Sequence, residues 1–145
     1  MKLFTSLMII CSILLSGCNK SENVNNDSPL PECDISVVVD ADLYQNAPAD
    51  EFYFQSVTID DNCLKISVQY GGGCEDVIFQ LFDASSILKS LPLQRNIRLS
   101  LEDNDFCEAL ITKKLDYDLM PLQVEGYAKI ILNLQGFEGN LVYNY

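Results

Sequence analysis

Apolar and polar residues alternate along most of the chain beyond Cys33. A period of two residues is typical of a β-strand with one buried face. The clearest case is "NIRLSLED", which predicts an inner face of Ile97, Leu99 and Leu101 and an outer face of Arg98, Ser100 and Glu102. Six further segments show the pattern, in places interrupted: "ISVVVDADLY", "EFYFQSVTID", "LKISVQY", "CEALITKKLDYDL", "YAKIILNLQG" and "NLVYNY".

These segments predict seven to eight strands separated by turn residues about every ten positions, which is typical of an antiparallel β-sandwich or barrel. We interpret residues 33–145 as one all-β domain, an antiparallel β-sandwich. In "ISVVVDADLY" the predicted strand continues to Leu43. No twelve-residue segment has a clear helical period. Ser85–Gln94 has room for no more than one helical turn, because Pro92 limits a longer helix.

The N-terminus carries Lys2 and then an apolar run from Leu7 to Leu15. As a helix this run reaches only about 14 Å, which suits the apolar region of a signal peptide and is too short to span a bilayer. The ending Leu15-Ser16-Gly17-Cys18 resembles the lipobox of bacterial lipoproteins. The resemblance implies a signal peptide over residues 1–17, cleavage before Cys18 and lipidation of that cysteine. The alternative is an ordinary signal peptide with a coincidental cysteine.

Residues 18–32 are rich in Asn, Ser, Asp and Pro and contain a single valine. Such a composition cannot bury enough apolar surface to offset the entropy of ordering it. It predicts a flexible tether that begins at the lipidated Cys18. The 113 residues that follow have the usual length of one domain.

The chain is strongly acidic, with 21 Asp and Glu against 9 Lys and Arg and a net charge of −12. Loss of Lys2 with the signal peptide makes the mature charge one unit more negative. No basic stripe interrupts this acidity, so a nucleic-acid partner is excluded. The acidity is typical of a soluble exported domain.

Four cysteines remain beyond Cys18, namely Cys33, Cys63, Cys74 and Cys107. An even number in an exported domain predicts two disulfides. Pairing Cys63 with Cys74 is disfavoured, because the predicted strand between them separates them by about 20 Å and a disulfide needs Cα atoms within about 7 Å. We favour Cys33 with Cys63 and Cys74 with Cys107. The pairing of Cys33 with Cys74 and Cys63 with Cys107 stays open.

The stretch "GGGCED" separates two apolar strands. A phosphate-binding loop would need a following helix with a lysine and a serine or threonine at set positions. Here β-branched and aromatic residues follow, which predicts a turn that uses the conformational freedom of glycine. We interpret the stretch as a turn held by a disulfide, with Glu75 and Asp76 in solvent.

Several pieces of this chain resemble the NigD-like C-terminal β-sandwich domain of small exported lipoproteins. They are Gly72-Gly73-Cys74, Cys107-Glu108-Ala109 and Leu115-Asp116-Tyr117-Asp118-Leu119, within a similarity over Val57–Leu122. The resemblance implies a sandwich at the cell envelope without an established catalytic activity. The pattern has histidines where this chain has Val77 and Glu102, so no histidine-dependent ligand site is expected.

The acidic run "LEDNDFCEAL" is a weak calcium candidate through Asp103, Asp105 and Glu108. It lacks the ligand spacing and central glycine of an EF-hand, and the favoured interpretation is an exposed turn with side-chain-to-backbone hydrogen bonds. The absence of histidine and of a CxxC motif argues against zinc and against cysteine or serine nucleophiles. Carboxylate pairs such as Asp116 and Asp118 lack a predicted cleft. We expect no enzyme activity and no cofactor.

The favoured function is that of a non-catalytic lipoprotein, anchored in the membrane through Cys18, that binds a protein partner of the cell envelope. An aspartate directly after the lipidated cysteine would retain a lipoprotein in the inner membrane. This chain has Asn19 at that position, which indicates the outer membrane. The alternative function is that of an accessory lipoprotein that binds a glycan or other small ligand. An exposed aromatic surface at Tyr143 and Tyr145 would favour the alternative, although burial of both in the last strand is the preferred interpretation.

Overall fold

The computed structural model describes residues 33–145, which form two packed β-sheets and one short helix. The predicted signal peptide, Cys18 and the predicted tether lie outside the described residues. The strands are β1 Ile35–Ser36, β2 Val38–Val39, β3 Phe52–Asp60, β4 Cys63–Gly72, β5 Ile78–Leu88, β6 Leu93–Glu102, β7 Ala109–Asp118, β8 Lys129–Leu134 and β9 Leu141–Asn144; α1 spans Ala41–Asn46, and Met120–Leu122 form a 3-10 turn. No helix within 33–145 is long and apolar enough to cross a membrane.

The two sheets have the strand orders β1-β7-β4-β3 and β2-β5-β6-β8-β9. The predicted all-β sandwich is therefore confirmed. Of the ladders between named strands, four are antiparallel and three are parallel. The parallel pair β6–β8 arises because β7, which lies between them in the chain, belongs to the other sheet. Such a crossover returns the chain to the first sheet in its original direction.

The core lies between the sheets and is built from the alternating apolar positions. Leu64, Ile66 and Val68 of β4 face Ile97, Leu99 and Leu101 of β6, all less than 5% exposed. In β3 the inward positions change from Phe52 and Phe54 to Val57 and Ile59, and a β-bulge between Phe54 and Ser56 accounts for the change. The alternation is interrupted because this single strand contains one extra residue at the bulge.

Two local predictions are wrong. The strand predicted to reach Leu43 stops at Val39, because the Asp40 carboxylate accepts hydrogen bonds from the backbone N–H groups of Asp42 and Leu43 and so caps a helix. The helical turn proposed within Ser85–Gln94 is instead the end of β5, a four-residue connection at 89–92 and the start of β6.

The outer face of β6 is also different from the prediction. Arg98 and Ser100 are 9% and 4% exposed, because α1 and the segment after it cover them. The Arg98 guanidinium donates to four backbone carbonyls, two in α1 and two just after it, at 2.7 to 3.2 Å, and Ser100 Oγ donates to the Pro48 carbonyl at 2.6 Å. These bonds supply partners for carbonyls that the end of the short helix leaves free.

The disulfides lie at opposite ends of β4. Cys33 is bonded to Cys63 at the first residue of the strand, and Cys74 is bonded to Cys107 just beyond its last residue. This is the pairing favoured from the sequence. Ten residues of β4 separate the two ends by about 33 Å. We call the first the Cys33 end and the second the Phe106 end.

Two buried tyrosines make a matched pair for testing the core. The Tyr117 hydroxyl has no hydrogen-bond partner among residues 33–145, and burial raises its pKa. The Tyr143 hydroxyl donates to Asn62 Oδ1 at 2.6 Å and accepts from Gln123 Nε2 at 2.7 Å. An unpaired buried hydroxyl costs about 1–3 kcal/mol, whereas a satisfied one contributes about 1 kcal/mol.

We therefore expect Tyr117→Phe to leave the free energy of unfolding unchanged or raise it by about 1 kcal/mol, and Tyr143→Phe to lower it by about 1–2 kcal/mol. Urea unfolding of both variants measures this difference. Equal losses in the two variants would contradict the hydrogen-bond assignment.

Candidate functional site

The glycine bend carries the chain from one sheet to the other. β4 belongs to the four-stranded sheet and β5 to the five-stranded sheet, so the bend does not close a hairpin between paired strands. Gly73 has a φ of +114°, and a Cβ there would lie 3.3 Å from Ile111 Cδ1 and 3.4 Å from Ala109 Cβ. Both the conformation and the space require glycine at this position.

One carboxylate joins this bend to the loop before β7. Asp105 Oδ2 accepts from the N–H groups of Cys74 at 2.7 Å and Glu75 at 3.0 Å, and its Oδ1 accepts from the N–H of Cys107 at 2.9 Å. These backbone N–H donors lower the pKa of Asp105, and the N–H of Glu75 has the largest effect. The carboxylate and the Cys74–Cys107 disulfide therefore fasten the same two segments together.

This arrangement predicts a pH dependence of the loop. Because the folded-state pKa of Asp105 is below its ordinary value of 3.8, the hydrogen bonds stabilise the loop fully above pH 3.8 and are lost as the pH falls through the lowered pKa. We expect NMR titration of the Asp105 carboxyl carbon to give a midpoint below 3.8. Loss of hydrogen-exchange protection at the amides of Cys74 and Cys107 should follow the same titration. Asp105→Asn should abolish this pH-dependent change in protection. A midpoint at or above 3.8 would contradict the assignment.

Two of the three acidic residues proposed for calcium, Asp103 and Asp105, accept hydrogen bonds from the backbone. Asp103 Oδ1 accepts from the N–H of Asp105 at 2.8 Å, and both oxygens of Asp105 are occupied as described. Glu108 is exposed. Within residues 33–145, the potential ligand group whose atoms lie within 4.8 Å of one another is Cys74, Asp105 and Cys107. Its two sulfurs form a disulfide, so neither is available as a thiolate ligand.

Phe106 stands at the tip of this fastened loop with 97% of its surface exposed. Its chain neighbours are the two residues that hold the loop, Asp105 and Cys107. We call residues 103–108 the Phe106 loop. Burial raises the pKa of Tyr70 at this end of β4, and the nearby negative charges of Asp103, Asp105 and Asp76 raise it further. An apolar side chain thus projects from an acidic surface.

An aromatic cavity of about 510 Å³ lies beside β3 and the β8–β9 connection. Phe54 packs edge-on against Phe52 and Phe137, with ring centroids 5.2 and 5.8 Å apart. The lining of the cavity also includes the exposed Tyr53 and the buried Arg98.

The C-terminal tyrosines do not form an exposed aromatic surface. Tyr143 is fully buried and packs against the partly buried Tyr145, with ring centroids 4.9 Å apart. The Tyr145 hydroxyl accepts from the N–H of Val124 at 2.9 Å. The preferred interpretation from the sequence, that both rings belong to the last strand's inner side, agrees with this packing.

Phe106 was missed from the sequence, where the surrounding run was considered only for its oxygen ligands. The sequence holds no clear signal for it, because a phenylalanine beside a disulfide cysteine can lie either in the core or in solvent. Leu91, which is 92% exposed on the connection between β5 and β6, was also missed, because its segment was interpreted as a possible helical turn.

No protein-family model and no curated protein sequence matches the chain. Three solved structures match, and two of them have a TM-score above 0.5. A protein of unknown function, DUF1344, from Bacteroides vulgatus has a TM-score of 0.53 at 14% identity, over 77% of this chain and 55% of that one. A NigD-like immunity protein from Bacteroides caccae has a TM-score of 0.53 at 11% identity, over 74% of this chain and 58% of that one.

This chain therefore spans little more than half the length of either structure. At such low identity the similarity is one of fold. It is, however, the fold that the sequence motifs around Gly72-Gly73-Cys74 implied. Residues 33–145 have a β-sandwich fold that resembles that of a NigD-like protein.

Proposed function

We propose that this chain is a non-catalytic lipoprotein of the cell envelope that binds a protein partner through the Phe106 loop. The observation that carries the proposal is the exposure of Phe106, 97%, on a loop whose backbone is fixed on both sides. Aromatic side chains dominate protein-binding energy, and a loop already held in one conformation loses little entropy on binding.

The charge around Phe106 indicates the chemistry of the partner. Carboxylates surround it along the chain and across the disulfide: Glu75, Asp76, Glu102, Asp103, Asp105 and Glu108. Charge complementarity across an interface speeds association and selects the partner. The fitting partner is a protein with an apolar pocket for one aromatic ring and basic residues at the rim of that pocket.

The absence of catalysis is part of the same proposal. The chain has no histidine to act as a base. The four cysteines within residues 33–145 are all in disulfides and are therefore not nucleophiles. The Bacteroides caccae neighbour is called an immunity protein, a name compatible with a role in binding.

Membrane anchoring is proposed from the lipobox resemblance, and placement in the outer membrane from Asn19. The intact mass of protein extracted from its native membrane with detergent tests the first claim. Loss of residues 1–17 and added acyl chains on Cys18 are expected. An unmodified Cys18 would contradict the anchoring without affecting the claim about Phe106.

The partner claim is tested by capture from chemically crosslinked native cells. Leu91 provides a matched control, because its side chain is 92% exposed at the opposite end of the β5–β6 hairpin. We expect the tagged protein to retain one dominant partner, Phe106→Ser to lose most of it, and Leu91→Ser to keep it. Retention by Phe106→Ser, or equal loss in both variants, would reject the Phe106 loop as the binding surface.

A second candidate function is the binding of a glycan or other small ligand. The aromatic cavity favours it, since about 510 Å³ lies within the usual range for small-molecule sites and exposed aromatic rings stack on sugars. Thermal shift against soluble envelope glycans tests this function. A shift that Tyr53→Ser abolishes and Phe106→Ser preserves would favour it over protein binding.

A further inference from the structure

An exposed apolar patch lies at the β5–β6 connection and on the segment before β8. We define the Leu91 patch as Ile87, Leu91, Val124 and Tyr127, which line one cavity. Leu91 is 92% exposed, Tyr127 44% and Ile87 40%, and Val124 is partly buried beside them. Two adjoining cavities of about 670 Å³ each flank Leu91 and Tyr127, and the lysines at their margins are Lys89 and Lys129. Exposed apolar groups gathered in this way mark an interaction surface.

The Leu91 patch lies at the Cys33 end of the sandwich. Cys63 is paired with Asp118 in the β4–β7 ladder, and Leu119 donates its N–H to the Asn62 carbonyl at 2.9 Å. The chain then continues from Leu119 into the segment that contains Val124 and Tyr127. Gln123 of that segment and Asn62 both bond to the Tyr143 hydroxyl. The patch and the attachment point of the N-terminal segment are therefore on the same end.

The position of the lipid restricts what can cover this patch. Fourteen residues lie between Cys18 and Cys33, and the chain from one cysteine to the other reaches at most about 50 Å when fully extended. The Cys33–Cys63 disulfide ties that segment to the patch end of the sandwich. A lipid on Cys18 would therefore hold this end of the sandwich within about 50 Å of the bilayer, which raises the effective concentration of the Leu91 patch at the surface.

We propose that the Leu91 patch rests in the headgroup–acyl boundary of the membrane to which the protein is anchored. The inference rests on the lipid anchoring in the proposed function and adds an orientation to it. Leucine and isoleucine enter the acyl boundary, a tyrosine ring is favoured at the level of the headgroups, and lysine stems extend to the phosphates. The overall acidity of the chain makes apolar contact, rather than charge, the main attraction.

The orientation has a consequence for the Phe106 loop. It lies at the other end of β4 and of the β5–β6 hairpin, about 33 Å away along the strands. With the Leu91 patch on lipid, Phe106 points away from the membrane.

The test uses the absence of tryptophan from the chain. Leu91→Trp and Phe106→Trp each introduce a single tryptophan at a position that is more than 90% exposed, so neither should disturb the fold. Each lipidated, full-length mature variant is reconstituted in phosphatidylethanolamine–phosphatidylcholine vesicles, with and without brominated acyl chains. Flotation of the vesicles and tryptophan emission are measured on the same samples.

We expect both variants to float, Leu91→Trp to shift its emission to the blue and lose most of its intensity to brominated lipid, and Phe106→Trp to change little. Flotation with no quenching at position 91 would overturn the seating and leave the anchoring intact. Failure to float would overturn the anchoring and, with it, this inference. A blue shift that depends on protein concentration and ignores brominated lipid would assign the patch to a second copy and also overturn the inference.

Discussion

Arg95→Ala is expected to lower the free energy of unfolding by about 3–5 kcal/mol, the largest effect of any single substitution considered. Arg95 Nε and Nη2 donate to the two oxygens of Asp83 at 2.9 and 2.7 Å, with both side chains buried. The substitution leaves the Asp83 carboxylate, which is fully buried, without its counter-ion. Denaturant unfolding at neutral pH measures the loss.

A surface pair provides the control. Lys65 Nζ lies 2.6 Å from Asp60 Oδ2, but the two side chains are 46% and 65% exposed. Solvent screening weakens such an exposed pair, so Lys65→Ala should have a much smaller effect than Arg95→Ala. The double variant Asp83→Leu with Arg95→Met should recover most of the stability, because it removes both charges together. A small loss in Arg95→Ala, or a double variant as unstable as the single one, would contradict this account of the pair.

Removal of either disulfide is expected to cost about 3–4 kcal/mol, since each closes a loop of similar length. The separations are 30 residues for Cys33–Cys63 and 33 residues for Cys74–Cys107, and the entropy of the unfolded chain depends on that length. Alanine at both cysteines of a pair is the appropriate substitution, because Cys63 is buried and a serine hydroxyl there would need a partner. Urea unfolding of the two double-alanine variants gives the losses.

The two variants should differ in binding while they agree in stability. Loss of Cys74–Cys107 frees the loop that carries Phe106, whereas loss of Cys33–Cys63 acts at the opposite end. We therefore expect capture of the partner to weaken only in the variant without Cys74–Cys107, under conditions in which both variants are folded. Equal weakening would show that capture follows stability alone.

The sandwich was predictable because its strands keep one face in the core. In β6 the alternation of Ile97, Leu99 and Leu101 predicted the buried face correctly. The disulfide pairing was favoured because a strand holds Cys63 and Cys74 apart, and β4 does extend over Cys63–Gly72.

The outer face of β6 was not predictable by the same rule. A polar residue that faces solvent and one that faces a covering segment have the same period, so the pattern cannot separate the two. Arg98 is buried only because α1 and the residues after it lie over this strand. That covering depends in turn on the helix cap at Asp40, whose local signal is weak in a segment rich in β-branched residues.

The two segments of the candidate site could be predicted from the sequence, but the contact between them could not. The sequence directed attention to the acidic run and to the glycine bend, and both belong to the Phe106 end. What it could not provide was the contact between them, since the bonds from Cys74 and Glu75 to Asp105 join residues about thirty positions apart. Once that contact is known, Asp105 is a loop-fixing residue, and the exposed ring beside it becomes the feature of interest.

Binding through the Phe106 loop is tested most directly by photo-crosslinking in the native cells. A photoreactive phenylalanine analogue is placed at position 106 in one strain and at position 91 in another, and the adducts are compared. The account predicts one major protein adduct from position 106 that is absent from position 91 and decreases at high salt, as expected for an acidic surface. No protein adduct from position 106, or the same adduct from both positions, would contradict it.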